Sequence, residues 1–420
     1  MTKKITFPIG FLWGASTSAH QVEGGTNNQW TQWEQENAER LADEAAKKWQ
    51  PWQQQRFPEM FIRENYLSGK ACEHYHRYEK DFDLAAKLGH NAHRFSIEWS
   101  RIEPEEGKFD KKEIEHYRKV IKALKKRGIE PFVCLWHWTN PLWIEKKGGA
   151  LSDDFSKYFS RYAEKMAEEY KNSVTYWITI NEPMSIIGSS YLSGVWPPQK
   201  KNPLLALKAY RTLTNAHCQA YDAIHRVTMH SQVGFAHIVS FFEAHNKKSP
   251  FDVAVTRIAK YFSNERFLSM TRKKNDFLAL QYYFHHSVSF FGKSKALPLK
   301  KLSDMGWEIN QGGLLELLRW MKMYGLPIYV TENGIADADD TKRESFIGNG
   351  LSFIHKAITE GIDVRGYFYW SLLDNFEWDK GFWPRFGLIE VDFKTQKRTI
   401  RPSALQYAKI CKSNMLEIDN

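Results

Sequence analysis

Cysteine is scarce in this 420-residue chain: Cys72, Cys134, Cys218 and Cys411 are the only four, and none falls in a CxxC or metal-type spacing. A disulfide framework is therefore excluded as a reading, and a reducing cytoplasm is the expected location. Long apolar runs are missing too. Long uncharged stretches such as 131–144 and 183–199 carry Pro, Asn, Gly or Ser and fall short of the ~18 apolar residues a membrane span needs. Pro8, Gly10 and Gly14 interrupt the apolar stretch after Lys3 and Lys4, so residues 1–19 are not expected to act as a signal peptide. No membrane partner is expected.

Several catalytic signatures are absent. There is no GxGxxG or Walker-type loop for a nucleotide, no GxSxG elbow for a serine nucleophile and no HExxH for zinc. Histidines 74, 76, 137, 285 and 286 do not share a ligand spacing, and the adjacent His285 and His286 would leave an extended segment on opposite sides. Neither a metal nor a cofactor is expected. No Pro/Gly/Ser-rich linker and no internal repeat divides the chain.

What is present is core-forming: 42% hydrophobic and 26% charged residues, with 16 Trp, 19 Tyr and 27 Phe, more aromatic surface than burial alone usually asks for. Flat rings at a cleft suit flat ligands such as sugars or bases. The formal charge of +10 raises the question of nucleic acid. Spread over roughly 17,000 Å² of folded surface it is dilute. The basic stretches at 111–112 and 122–127 lie on one amphipathic pattern with interspersed acids, which reads as a solvated helix face. No nucleic-acid partner is expected.

Eight short runs rich in β-branched and aromatic residues recur at 11–19, 91–98, 130–136, 175–181, 232–240, 276–283, 327–331 and 364–372. Helical patterns separate them. Ile114, Tyr117, Ile121 and Leu124 run to Gly128; Phe155, Phe159, Tyr162 and Met166 follow Ser152 as a candidate N-cap; two leucine- and isoleucine-rich stripes run to Gly325 and Gly361. Eight alternations without a linker predict an α/β fold, a single (β/α)8 barrel over residues 1–420 with elaborated βα loops. The clearest elaboration is a charged, Gln-rich insertion at about 38–70, expected to be helical.

Barrel enzymes carry their chemistry where strands end at the C-terminal face. Those ends hold Gln21 after the first run, Arg94 in the second, His137 after the third, Asn181 and Glu182 after the fourth, Tyr283 after the sixth and Glu332 after the seventh. Trp370, Glu377 and Trp378 follow at the eighth. Two glutamates facing each other across a barrel mouth are the paired carboxylates that glycosidic cleavage uses, one as acid and the other as nucleophile or base. Environment must push their pKa values apart.

The motifs Phe11-Leu12-Trp13-Gly14-Ala15-Ser16, Gln21-Val22-Glu23-Gly24, Tyr75-His76-Arg77-Tyr78, Arg94-Phe95-Ser96-Ile97, Asn181-Glu182-Pro183, Thr331-Glu332-Asn333-Gly334 and Tyr369-Trp370-Ser371-Leu372, running on through Glu377-Trp378, resemble glycoside hydrolase family 1, the β-glucosidase family, with some archaeal-type features. Their shared order and spacing, from Phe7 to about Pro402, carry the likeness. The resemblance implies a retaining β-D-glycosidase for terminal β-linked glucosyl, and also galactosyl or fucosyl, residues. Glu182 would be the acid/base and Glu332 the nucleophile. Arg94 and Tyr283 would keep Glu332 ionised, and Asn181 would bond the sugar 2-hydroxyl. Gln21, His137, Trp138, Glu377 and Trp378 would hold the glycone, Trp370 would lie beneath its ring, and Trp307 and Phe386 would line the remaining substrate surface. The partner would be a small β-glycoside or oligosaccharide.

The sequence departs from that family at Gln281, where Asn is usual, at His20, where Tyr is common, and at Thr139-Asn140, where Asp-Leu is usual. Two other readings stand beside the first. A 6-phospho-β-glycosidase would use Lys380 and Arg385 for phosphate, against an expected repulsion from the Glu377 carboxylate. A sugar-binding pseudoenzyme would share the fold without turnover.

Overall fold

In a computed structural model, which describes residues 2–292 and 297–419, eight parallel strands close into a barrel. They are β1 (Leu12–Ser16), β2 (Ala92–Ser96), β3 (Glu130–Trp136), β4 (Tyr176–Asn181), β5 (Gln232–Ile238), β6 (Leu278–Gln281), β7 (Ile328–Asn333) and β8 (Val364–Trp370). Neighbours pair in chain order, and β8 returns to β1. Each of the eight runs read from sequence is a barrel strand, trimmed by a few residues at most ends. Their side chains are buried almost throughout, which is why the strands read as apolar blocks rather than as alternating patterns.

Two layers of core result. Inside the barrel, Phe132, Ile178, Phe277, Tyr329 and Phe368 fill the lumen with Ala92, Ala236 and Ala279. Outside it, a larger apolar layer joins the strands to the surrounding helices. Crossover helices follow from local chemistry. Asp110 accepts from Lys112 N at 2.7 Å and Glu113 N at 3.3 Å to start the helix Lys111–Lys126, and the chain leaves it through Gly128 at φ 69°. The helix Phe155–Tyr170 is capped two residues later than predicted: Asp154 holds the N-cap position, and Ser152 Oγ only accepts from Asp154 N at 3.4 Å.

The insertion is helical but starts earlier than 38–70. The helix α1 (Gln29–Lys48) is followed by α2 (Pro51–Arg56) and two short 3-10 turns ending at Tyr66. Asn28 caps α1 by accepting from Thr31 N at 3.0 Å, a start signal hidden in sequence by the polar residues that follow it. This elaboration leaves the C-terminal end of β1 and packs over the barrel mouth. Trp30 lies 4.6 Å from the Trp378 ring, Lys48 pairs with Asp379 at 2.8 Å, and Gln53 Nε2 donates to Asp304 O at 2.8 Å. His285 and His286 take opposite sides of a short strand: the first meets Glu308 at 2.6 Å, and the second stacks on Phe242. Among the described residues, no helix is long and apolar enough to cross a membrane.

Candidate active site

A cavity of about 310 Å³ opens at the C-terminal end of the barrel. Its walls include Gln21, His137, Trp138, Glu182, Tyr283, Trp307, Glu332, Trp370, Glu377, Trp378 and Phe386, eleven of the thirteen residues singled out from sequence. The other two, Arg94 and Asn181, lie fully buried behind that wall and touch it through side-chain bonds. A larger cleft of about 870 Å³ lies elsewhere, against the helices Arg343–Thr359 and Pro402–Ser413, and holds none of these residues.

Strand irregularities aim the two glutamates. The β4–β5 register shifts between Ile178 and Asn181, and the β7–β6 register shifts between Val330 and Glu332, so the ladder breaks where each carboxyl must turn inward. Glu182 sits at φ 40°, ψ 64°, a left-handed conformation unusual for a side-chain-bearing residue. Gly334 is dictated by space: a Cβ there would lie 1.9 Å from Trp370 O.

Both carboxyls are buried, at 4% exposure, but their neighbours differ. Arg94 Nη1 donates to Glu332 Oε1, and the Tyr283 hydroxyl donates to Glu332 Oε2 at 2.8 Å. Glu182 receives one bond, from Ser185 Oγ at 2.7 Å. Burial raises Glu332 above the ordinary carboxyl range, while the Arg94 charge and the Tyr283 bond pull it back. Burial raises Glu182 much further, the Glu332 charge adds to it, and Ser185 and Arg94 oppose only in part. Of the pair, Glu332 gives up its proton first. Burial and the Glu332 charge keep the Tyr283 phenol protonated, as a donor must be.

Asn181 is fixed on every side. Its Oδ1 accepts from Arg94 Nη2 and from Gln281 Nε2 at 2.9 Å, while its Nδ2 donates to His137 Nε2 at 3.1 Å. The longer Gln281 thus reaches the Asn181 amide from β6, across the intervening β5. Burial drives the His137 imidazole well below its usual pKa, so it stays neutral and accepts from Asn181 on Nε2. Trp138 Nε1 donates to Asn181 O at 2.9 Å, and the Trp138 and Trp378 rings meet at 4.7 Å.

On the far wall Gln21 Nε2 donates to Phe376 O at 2.8 Å and reaches Glu377 Oε2 at 3.2 Å. Burial, opposed by Lys380, pushes Glu377 up to about 8. A raised Glu377 carries less negative charge, which weakens the repulsion of a phosphate expected from its carboxylate. Lys380 lines the cavity with its ammonium paired to Asp379, whereas Arg385 bonds Val391 O at 3.2 Å and does not line it. His20 stacks on Trp378 with ring centroids 5.5 Å apart and binds Glu34 at 2.7 Å.

Sequence reasoning missed Trp49, Ser185, Ser189, Trp196, Ile238, Phe284 and Met305 as lining residues. Trp49 closes the insertion helix, and Ser185 stands one turn beyond Glu182, where the spacing alone was a usable signal. Phe284, Met305, Trp307 and Phe386 form an aromatic and thioether wall, with Phe284 and Trp307 rings 4.7 Å apart.

The chain matches the sequence profile of Glycosyl hydrolase family 1 over residues 3–287 and 269–416. It is 32% identical to beta-glucosidase A of Thermotoga maritima, over 98% of this chain and 99% of that protein. A beta-galactosidase of Pyrococcus woesei is 28% identical over 95% of each. Among solved structures, the beta-glycosidase from Pyrococcus horikoshii superposes with a TM-score of 0.88 at 36% identity, covering 100% of this chain and 97% of that one. The beta-glucosidase from Thermotoga maritima in complex with glucoimidazole gives a TM-score of 0.83 at 29% identity, over 97% and 99%. With a closed barrel, two buried glutamates at its mouth and matches along almost its full length, the chain belongs to glycosyl hydrolase family 1 and is a glycoside hydrolase.

Proposed function

We propose that this glycoside hydrolase removes terminal β-linked glucosyl residues, and also galactosyl residues, from small glycosides with retention of configuration. One observation carries the assignment of roles: two buried glutamates at the ends of β4 and β7 have unequal partners, two strong donors for Glu332 and one hydroxyl for Glu182. Glu332, the first to ionise, attacks the anomeric carbon as the glycosidic C–O bond breaks. Glu182 passes its proton to the departing oxygen. In the second half Glu182 takes a proton from water, the water oxygen bonds to the anomeric carbon, and the bond to Glu332 breaks.

The Asn181 amide, fixed by Arg94, Gln281 and His137, suits a 2-hydroxyl whose contact strengthens as positive charge grows on the ring. Gln21, His137 and Glu377 supply donors and acceptors for the other hydroxyls. A side-chain amide and a carboxyl can meet a 4-hydroxyl whether it is equatorial or axial, which supports gluco and galacto substrates alike. Trp370 gives the ring an apolar floor, and Trp307 with Phe386 an aromatic wall for the leaving group. A 6-phosphate substrate has less support, because Lys380 is already neutralised by Asp379. We read the chain as one domain. Its four free cysteines suit a reducing compartment such as the cytoplasm.

The test varies the leaving group. Glu182→Ala should slow a nitrophenyl glucoside of poor leaving ability far more than a dinitrophenyl one, and azide should restore the rate by replacing the missing base. Equal losses across leaving groups would contradict the acid role.

A further inference from the structure

Eight of the chain's Lys and Arg residues fall between positions 245 and 275 against two acids, Asp252 and Glu265, so this short segment supplies six units of a net charge of +10. It is also unusually apolar on its outside. The helix Pro250–Lys260 and the turn after it expose Phe251, Val253, Ile258, Tyr261 and Phe262, each between 45% and 58%. Phe251, Ile258 and Phe262 recur at near-helical spacing, on a face that an ordinary surface helix would give to polar residues. Phe290 continues the face by meeting Phe251 at 5.5 Å, and Phe291, 73% exposed, lies 5.2 Å further on.

The patch is built rather than frayed. Asp252 is buried, and its Oδ1 accepts from Phe290 N at 2.9 Å, which ties the loop to the helix and turns the acid inward, away from the exposed rings. Of the eight cations, Lys247 pairs with Glu243 and Lys274 with Asp222; the remaining six make no ion pair among the described residues. Arg257 is exposed on the helix beside Ile258, and Arg266 lies over the Phe262 ring at 5.5 Å. Both segments leave the C-terminal ends of barrel strands, β5 and β6, so the patch is on the mouth side. Phe284, a wall of the cavity, lies a few residues before Phe290.

We propose that this face is an interfacial docking surface for an anionic lipid bilayer. Exposed rings would enter the acyl boundary while the surrounding Lys and Arg meet the headgroups, with no helix crossing the membrane. A second copy of the chain fits less well, because a self-pairing of the patch would set six net positive charges against six. A plain polyanion gives the aromatic residues nothing to bury against. The proposal does not depend on the assignment of Glu182 and Glu332.

Co-sedimentation of the full chain with vesicles tests it. The protein should partition onto vesicles rich in phosphatidylglycerol, weakly onto pure phosphatidylcholine, and less as salt is raised. Phe251→Ser, Ile258→Ser, Phe290→Ser and Phe291→Ser combined should lower partitioning by about tenfold or more, as should Arg257→Glu with Lys260→Glu. Both variants should hydrolyse a soluble nitrophenyl glucoside at the parent rate. Absence of binding to the anionic vesicles would overturn the proposal. So would binding that survives the loss of the four apolar side chains, or a solution dimer that this loss dissolves.

Discussion

Glu182 and Glu332 are the same side chain at the same depth, and only their neighbours separate them. Turnover needs Glu332 ionised and Glu182 protonated, so kcat/KM should fall as pH drops through the first ionisation of the pair and again as it rises through the second. Burial lifts both groups above the ordinary carboxyl value of 4.5, which places both limbs of the bell above that of a free glutamate. Tyr283→Phe removes a donor that lowers Glu332, so the acid limb should move up while the protein still folds. An acid limb that stays in place would show that the phenol does not tune the nucleophile. The residue types at this site were legible because the reaction needs them at strand ends. Their bonds were not: nothing in the spacing of Gln281 says that it reaches across to Asn181.

The barrel strands were legible for a different reason. A strand buried on both faces must be apolar along its length, and eight such blocks between amphipathic helices leave few arrangements. The insertion was harder to read. Its helix starts at Gln29 under an Asn28 cap, and its buried face (Trp30, Trp33, Glu34, Asn37, Ala38, Leu41, Ala42 and Ala45) mixes polar residues and alanines with the larger apolar ones, so hydropathy understates it. Glu34 is the main example: it is 1% exposed, accepts from Ser68 N at 2.8 Å and Ser68 Oγ at 2.7 Å, and meets His20 at 2.7 Å. Glu34→Ala strands those groups in the interior and should cost about 3 kcal/mol of stability. Because His20 stacks on Trp378, the same change should raise KM for glucosides more than it lowers kcat. Thermal unfolding and steady-state kinetics check both. An unchanged melting temperature would mean that the insertion only rests on the barrel.

For the molecule as a whole, the charge was visible as a sum, but its concentration beside the mouth emerges only when exposed apolar side chains are placed among the cations. Acid stability is likewise a property of the assembled core. His90 is buried against Tyr407 with neither ring nitrogen bonded among the described residues, and burial lowers it to about 3. The unfolded chain takes up this proton below about pH 6.5 and the native one does not, so stability is lost as pH falls from 6.5 towards 3. His90→Leu should remove that loss, and its stability relative to the parent should rise by about 1.4 kcal/mol per pH unit in that window. A difference that stays flat from pH 7 to 4 would mean that the imidazole is protonated in the fold. The proposed reaction of the chain rests on Glu332 forming a bond to the sugar. Incubation with a 2-deoxy-2-fluoro glucoside bearing a dinitrophenyl leaving group, followed by digestion and mass spectrometry, reads that bond directly. The account predicts one fluoroglucosyl label on Glu332 with loss of activity; a label on any other carboxyl, or inactivation with none, would contradict it.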